Sequence, residues 1–362
     1  MKRTPPPAFA FLALAIAAAA QGKLPHFEPD PSWPKPLPNN WMIGQVSGTA
    51  VDARDHIWIL HRPRTLDEHD KYLALKKGDC CIPAPPVIEF DAAGNVVSSW
   101  GGPGEGYEWP DNEHGIFVDA KDNVWITGNG DKDAQILKFT RAGKFVLQIG
   151  RHGKSGGSND TANLGRPAGL VVNPGTNEVF VADGYGNRRV VVYDAETGAY
   201  KRHWGAYGNR PDDSAPRTRV YEGAGSPQFN LVHGIRISND GLVYVGDRVN
   251  NRVQVFQLDG KFVKEVYIER QTEAGEGTAF DIAFSRDKAQ QFFYVPDGSN
   301  KKVDIVDRKT LEVVGFFGGH GGHGVGEFYH IHSIVTDSKG NVYLGEVNNG
   351  RRVLRWNYQG MR

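Results

Sequence analysis

The sequence predicts an all-β chain made of repeated four-stranded meanders, and three observations carry that reading. In residues 231–256, LVHGIRISNDGLVYVGDRVNNRVQVF, apolar side chains alternate at Ile235 and Ile237, at Val243 and Val245, and at Val253 and Val255, which is the period of strands. Asn239-Asp240-Gly241 sits between the first two runs and supplies residues that accept positive φ in a hairpin turn. Related stretches recur at intervals of roughly 45 to 65 residues, the size of a propeller blade and longer than most solenoid units. Glycine reaches 45 and the aromatics 11% of 362 residues, a composition of many tight turns. The fold these features predict is one six-bladed β-propeller.

Taken in order, residues 1–20 read as a signal peptide: Lys2 and Arg3, an apolar run from Ala8 to Ala20, and Ala18-Ala19-Ala20 as a cleavage site before Gln21. The run is shorter than the ~20 apolar residues that a spanning helix needs, so the expectation is export to the periplasm or the extracellular space without a membrane span. Residues 21–40 are proline-rich, and the segment 24–29 is expected to supply the strand that closes the ring. The propeller itself is expected over 41–362.

Its repeats begin with SGTAVDARDHIWILHR, HGIFVDAKDNVWITG, AGLVVNPGTNEVFVADGYGNRRVVVYD, the 231–256 stretch, FDIAFSRDKAQQFFYVPDGSNKKVDIVD and HSIVTDSKGNVYLGEVNNGRRVLRWN. The first is interrupted by an insertion, 63–86, expected to overhang the channel mouth, and the loop 206–230 should wall the same face. The last lacks an outer strand of its own. Cys80 and Cys81 are the two cysteines; as neighbours they are either a strained ring disulfide or two free thiols. A D-x-x-x-N-R/K pattern (Asp183, Asn187, Arg188; Asp247, Asn251, Arg252) resembles NHL repeats.

Lysine plus arginine equals aspartate plus glutamate at 42 each, which removes the electrostatic case for nucleic acid or an anionic membrane. A monomer acting on a small molecule or peptide is expected. The start of each innermost strand and the end of the next strand share one face of the disc, so both positions ring the channel mouth. The first of these carries Ser47, His114, Ala168, His233, Phe280 and His332. Histidines on alternate blades would aim three imidazoles at one axis, the arrangement of a catalytic Zn²⁺ with an open position. Alignment of EFYHIHSI with QFNLVHGI leaves His330 in the loop. The second position carries Arg62, Tyr185 and Arg248: a tyrosine serves as general base when a cation lowers its pKa, and arginine offers a planar fork for a carboxylate.

With these residues in place the chain resembles the peptidyl-α-hydroxyglycine α-amidating lyase family from about residue 44 to 356. The carriers are GQVSGTAVD with LHR, EHGIFVD, VFVADGYGNRRVVVY, LVHGIRI with VYVGDRVNNRVQVF, and HSIVTD with VYLGE. The resemblance implies zinc on His114, His233 and His332, Tyr185 as base, and Arg62 and Arg248 framing the hydroxyl and carboxylate of a C-terminal α-hydroxyglycine. The reaction implied is cleavage of its N–Cα bond to an amide and glyoxylate. It also implies a structural calcium, held by backbone carbonyls at positions like Val46 and Ile116 and by an aspartate directly after the third zinc histidine. Here that position is Ser333, a poor ligand for a hard cation, and Asp281, in the matching position one blade earlier, is the candidate substitute. The family's cysteine beside the tyrosine is Gly186, and no hydroxylating domain is present in this sequence. Two other readings remain: a non-catalytic NHL propeller that binds a peptide or protein on its upper face, and a calcium-dependent six-bladed lactonase, which would want carboxylate and amide ligands in place of the histidines.

Overall fold

The computed structural model describes residues 23–362; the signal peptide read at 1–20 lies outside them. Six four-stranded antiparallel sheets follow one another along the chain, and they are the blades of a six-bladed propeller. The fourth, read first in the sequence, runs Val232–Ile237, Val243–Asp247, Arg252–Phe256 and Phe262–Tyr267. Gly241, at a φ of +79°, makes the hairpin between its first two strands in a conformation that a Cβ would strain. In the sixth sheet, Ile331–Thr336, Val342–Glu346 and Val353–Met361 are completed by Pro25–Pro29, which pairs antiparallel with Val353–Met361 through Phe27↔Tyr358 and Pro29↔Trp356.

The inner strands bury side chains on both faces, between their own blade and its neighbours. Val171, Phe180 and Val192 of the third blade meet Ile235, Val243 and Phe256 of the fourth in one cluster, and Ala50, Trp58 and Leu60 of the first meet Val118, Val124 and Phe139 of the second in another. The core is therefore a wheel of inter-blade wedges, and the channel is what remains at the hub. The insertion 63–86 is tied down by a short parallel pairing of Trp41–Met42 with Ile82–Pro83 and by an Arg351–Asp70 ion pair at 2.6 Å. Cys80 and Cys81 within it are bonded to each other.

Buried ion pairs fasten the loops that lead into the inner strands. Arg252 Nε donates to Asp247 Oδ2 at 2.8 Å, both side chains fully buried, while its Nη2 donates to the Ser226 carbonyl at 2.8 Å. In the third blade Arg189, not Arg188, does the same work, pairing with Asp183 at 2.9 Å and holding the carbonyls of Ser158 and Asn163. The amides that brace these carboxylates are Asn187 and Asn250, each at 2.7 Å. The turn is one residue longer in the third blade, so the pattern read from sequence slips by one: Asn250 replaces Asn251 and Arg189 replaces Arg188. Removing one partner of such a pair strands the other charge away from water, so Arg252→Ala is expected to cost about 3–5 kcal/mol in urea unfolding; a loss below about 1 kcal/mol would contradict this assignment.

Candidate metal centre

Three of the innermost strands bring a histidine to the hub by the same local device. The antiparallel register slips between Glu113 and Ile116, between Val232 and Ile235, and between Ile331 and Ser333. His114, His233 and His332 lie in these bulges, which turn their side chains out of the strand alternation toward the axis. All three are buried, and one nitrogen of each lies within 4.8 Å of the others.

The opposite ring nitrogen fixes which face each imidazole shows. His114 Nδ1 is 2.7 Å from the Ala168 carbonyl, His233 Nδ1 2.5 Å from that of Phe280, and His332 Nδ1 2.8 Å from that of Ser47. A carbonyl only accepts, so each Nδ1 carries the proton and each Nε2 presents a lone pair. The histidine blades thus lean on the three blades between them, through the residues at the same aligned position. His233 and His332 Nε2 face each other at 3.1 Å with no proton to share. Burial, as the largest cause, drives all three pKa values well below 6.5, and Arg62 and Arg248 push the same way. Neutral imidazoles with convergent lone pairs and fixed outer hydrogen bonds are a donor set for a transition-metal ion with a further position open.

Tyr185 and Arg248 close on the same point. The Tyr185 hydroxyl is 2.9 Å from His114 Nε2 and 3.3 Å from His233 Nε2, and Arg248 Nη1 donates to it at 3.1 Å. Arg248 is held in turn by the Phe280 ring, 3.9 Å beneath the guanidinium carbon, and by the carbonyl and carboxylate of Glu276 at 2.8 and 3.1 Å. Arg62 donates from Nε to the carbonyl of Glu113, the residue before His114, at 2.7 Å and from Nη1 to Gln45 at 2.8 Å. Burial lowers its pKa to about 10, and among the described residues no carboxylate pairs with it.

Two residues here escaped the sequence reading. Glu276 bridges Arg248 and His330, the latter at 2.7 Å; the His330 hydrogen bond is the main cause that holds its carboxyl down at about 2. His330 is therefore outside the triad, as the alignment predicts, but next to it. Arg236 lies deeper, where its guanidinium meets Asp281 at 3.0 Å. Comparison of the third residue after each aligned hub position would have found it: Ala50, Phe117, Val171, Arg236, Ala283 and Val335 contain one charge among five apolar side chains. Of the residues read as possible calcium ligands, Ile116 and Asp281 line a small cavity of about 30 Å³ under the histidines, whereas Val46 does not. Asp281 is already engaged by Arg236.

Residues 229–256 match the NHL repeat family model. The chain is 29% identical over 249 residues to peptidyl-glycine alpha-amidating monooxygenase A of Xenopus laevis, covering 67% of this chain and 24% of that protein. It is 24% identical over 344 residues to peptidyl-alpha-hydroxyglycine alpha-amidating lyase 1 of Drosophila melanogaster, covering 88% and 57%. NHL repeat-containing protein 3 of Mus musculus is 27% identical over 298 residues, covering 80% and 70%. The chain thus spans about a quarter of the Xenopus relative, and the resemblance to the amidating-lyase family stands on relatives that carry its name. A streptogramin B lyase structure superposes with a TM-score of 0.51 at 11% identity, covering 93% of this chain and 98% of that one, a likeness of fold.

The depressed imidazole pKa values set a pH dependence. Unfolded histidines titrate at 6.5 and the folded ones well below it, so below that pH the unfolded chain binds more protons and stability falls as pH falls. His61, held at about 4 by burial, adds a slope of the same sign. Thermal unfolding of metal-stripped protein is expected at progressively lower temperature from pH 7 to pH 5, with a shallower slope in His332→Gln. A melting temperature that stays level or rises over that interval would contradict the neutral triad.

Proposed function

We propose that this chain is a zinc-dependent carbon–nitrogen lyase of the amidating type, which cleaves the N–Cα bond of a C-terminal α-hydroxyglycine to an amide and glyoxylate. The observation that carries the proposal is the contact of Tyr185 with two of the three converging histidines and with Arg248, in a chain whose relatives include proteins named for this reaction. The proposed zinc ligands are His114, His233 and His332. Zinc held there would supply Lewis acidity toward the substrate's oxygens.

The protein groups have separable roles. Arg62, without a carboxylate of its own, takes the substrate carboxylate in its fork. The Tyr185 oxygen, kept in place by Arg248, removes the proton from the α-hydroxyl. As that proton leaves, the C–O bond becomes a carbonyl and the N–Cα electron pair passes to nitrogen, which takes a proton and departs as the primary amide. No oxidant, reductant or water is consumed. Arg248 supplies positive charge where the hydroxyl oxygen becomes negative, and does so from a preset position. Export through the leader at residues 1–20 is part of the same proposal.

A second reading is favoured by the mouse relative, of which this chain covers 70%: an NHL propeller that binds a peptide or protein without turning it over. Activity decides between them. Purified protein supplied with benzoyl-α-hydroxyglycine is expected to release glyoxylate and benzamide in equal amounts. Tyr185→Phe should lower kcat by about 100- to 10,000-fold with metal still bound, and Arg62→Ala should act mainly through KM. Absence of glyoxylate from zinc-loaded wild type would favour the binding module, whereas a Tyr185→Phe variant as fast as wild type would leave the lyase reading and remove Tyr185 as its base.

A further inference from the structure

Beneath the histidines the chain departs three times from its own repeat, and two of the departures touch. The residues directly after the aligned hub position are Gly48, Gly115, Gly169, Gly234, Asp281 and Ser333. The glycines are needed because neighbouring strands approach closely: a Cβ on Gly115 would lie 2.5 Å from the Ala168 carbonyl, and one on Gly234 would lie 2.6 Å from Asp281 Cα. Asp281 and Ser333 break this layer, and Arg236 breaks the apolar layer below it. The side chains of Arg236 and Asp281 form one ion pair at 3.0 Å.

The amidating-lyase resemblance implies a calcium ion in this part of the channel, and the residues present do not fit one. A calcium site offers six to eight oxygens with lone pairs free. Here the one carboxylate of the layer is surrounded by donors: Arg236 Nη2 at 3.0 Å and the Ile334 amide at 3.1 Å on Oδ2, and the Ile282 amide at 2.9 Å on Oδ1. Arg236 also occupies the carbonyls of Ile235, at 2.8 Å, and Ile334, at 3.4 Å. A divalent cation would sit beside a guanidinium, which repels it in a medium of low dielectric. Arg236 borders both the small cavity under the histidines and the larger opening on the lower face, so its head group is the floor between them.

We infer that the Arg236–Asp281 pair takes the place of a structural divalent cation and positions two of the three metal-binding histidines. The positioning follows from connectivity. Arg236 stands three residues after His233 on Val232–Ile237. Asp281 follows Phe280, whose carbonyl orients His233, and it accepts from the amide of Ile334, two residues after His332. One ion pair therefore ties the fourth, fifth and sixth blades together directly under the centre. The inference rests on the metal-site reading for its affinity readout, and its calcium readout is independent of that.

The test uses the full mature chain. Elemental analysis of protein purified in the presence of calcium is expected to find no stoichiometric calcium, and millimolar CaCl₂ should leave Tm unmoved. Arg236→Ala strands a buried carboxylate and should lower Tm. The double variant Arg236→Leu/Asp281→Leu replaces the pair with apolar side chains and should recover that loss, yet still bind Co²⁺ about 10- to 100-fold more weakly and with a changed visible spectrum. One calcium per chain in wild type, a Tm that rises with CaCl₂, or a double variant with wild-type Co²⁺ affinity and spectrum would each overturn the inference. Absence of glyoxylate release with these results intact would remove the proposed reaction and leave the inference standing.

Discussion

The hub depends on three hydrogen bonds from imidazole Nδ1 to a backbone carbonyl of the following blade. Without them each ring could rotate or change tautomer, and the Nε2 lone pairs would not face one another. With them, three acceptors are forced together in a buried space, an arrangement that is unfavourable until a cation or a proton donor enters. The cost is met by the wheel of inter-blade packing, which holds the backbone where the carbonyls need it. The alternation of blades is part of this: histidine blades supply the rings, and the blades between them supply the carbonyls.

Polar function and structural support are stacked along one axis. At the mouth, Arg62, Tyr185, Arg248 and Glu276 carry charge and exchangeable protons. Below them lie the neutral imidazoles, then a layer that four glycines keep narrow, then Arg236 across the floor. Positive charge thus stands above the histidines at Arg62 and Arg248, which reinforces the effect of burial in keeping them neutral. Phe280 joins the layers, because its carbonyl orients His233 and its ring supports Arg248.

Much of this was legible in the sequence because a propeller repeats. The period located the blades, and alignment of the repeats placed His114, His233 and His332 at one level and Arg62, Tyr185 and Arg248 at another. The same comparison, carried three residues further, exposes Arg236, although a lone arginine in an alternating strand taken by itself reads as a solvated side chain. Glu276 was not legible, since it lies in a connecting loop whose length differs from blade to blade. The slip from Arg188 to Arg189 has a similar origin: a one-residue difference in turn length leaves the strand pattern intact and moves the ion pair. Ring orientation was beyond the sequence altogether, because it depends on carbonyls 47 to 285 residues away.

The central claim is that three tautomer-fixed imidazoles form a metal site with one position left for chemistry. X-ray absorption on zinc-loaded protein measures this directly. The account predicts a first shell of three nitrogens at about 2.0–2.1 Å with one oxygen, and multiple-scattering features of three imidazoles that fall to two in His233→Ala. A shell of oxygens alone, or an unchanged imidazole count in that variant, would contradict it.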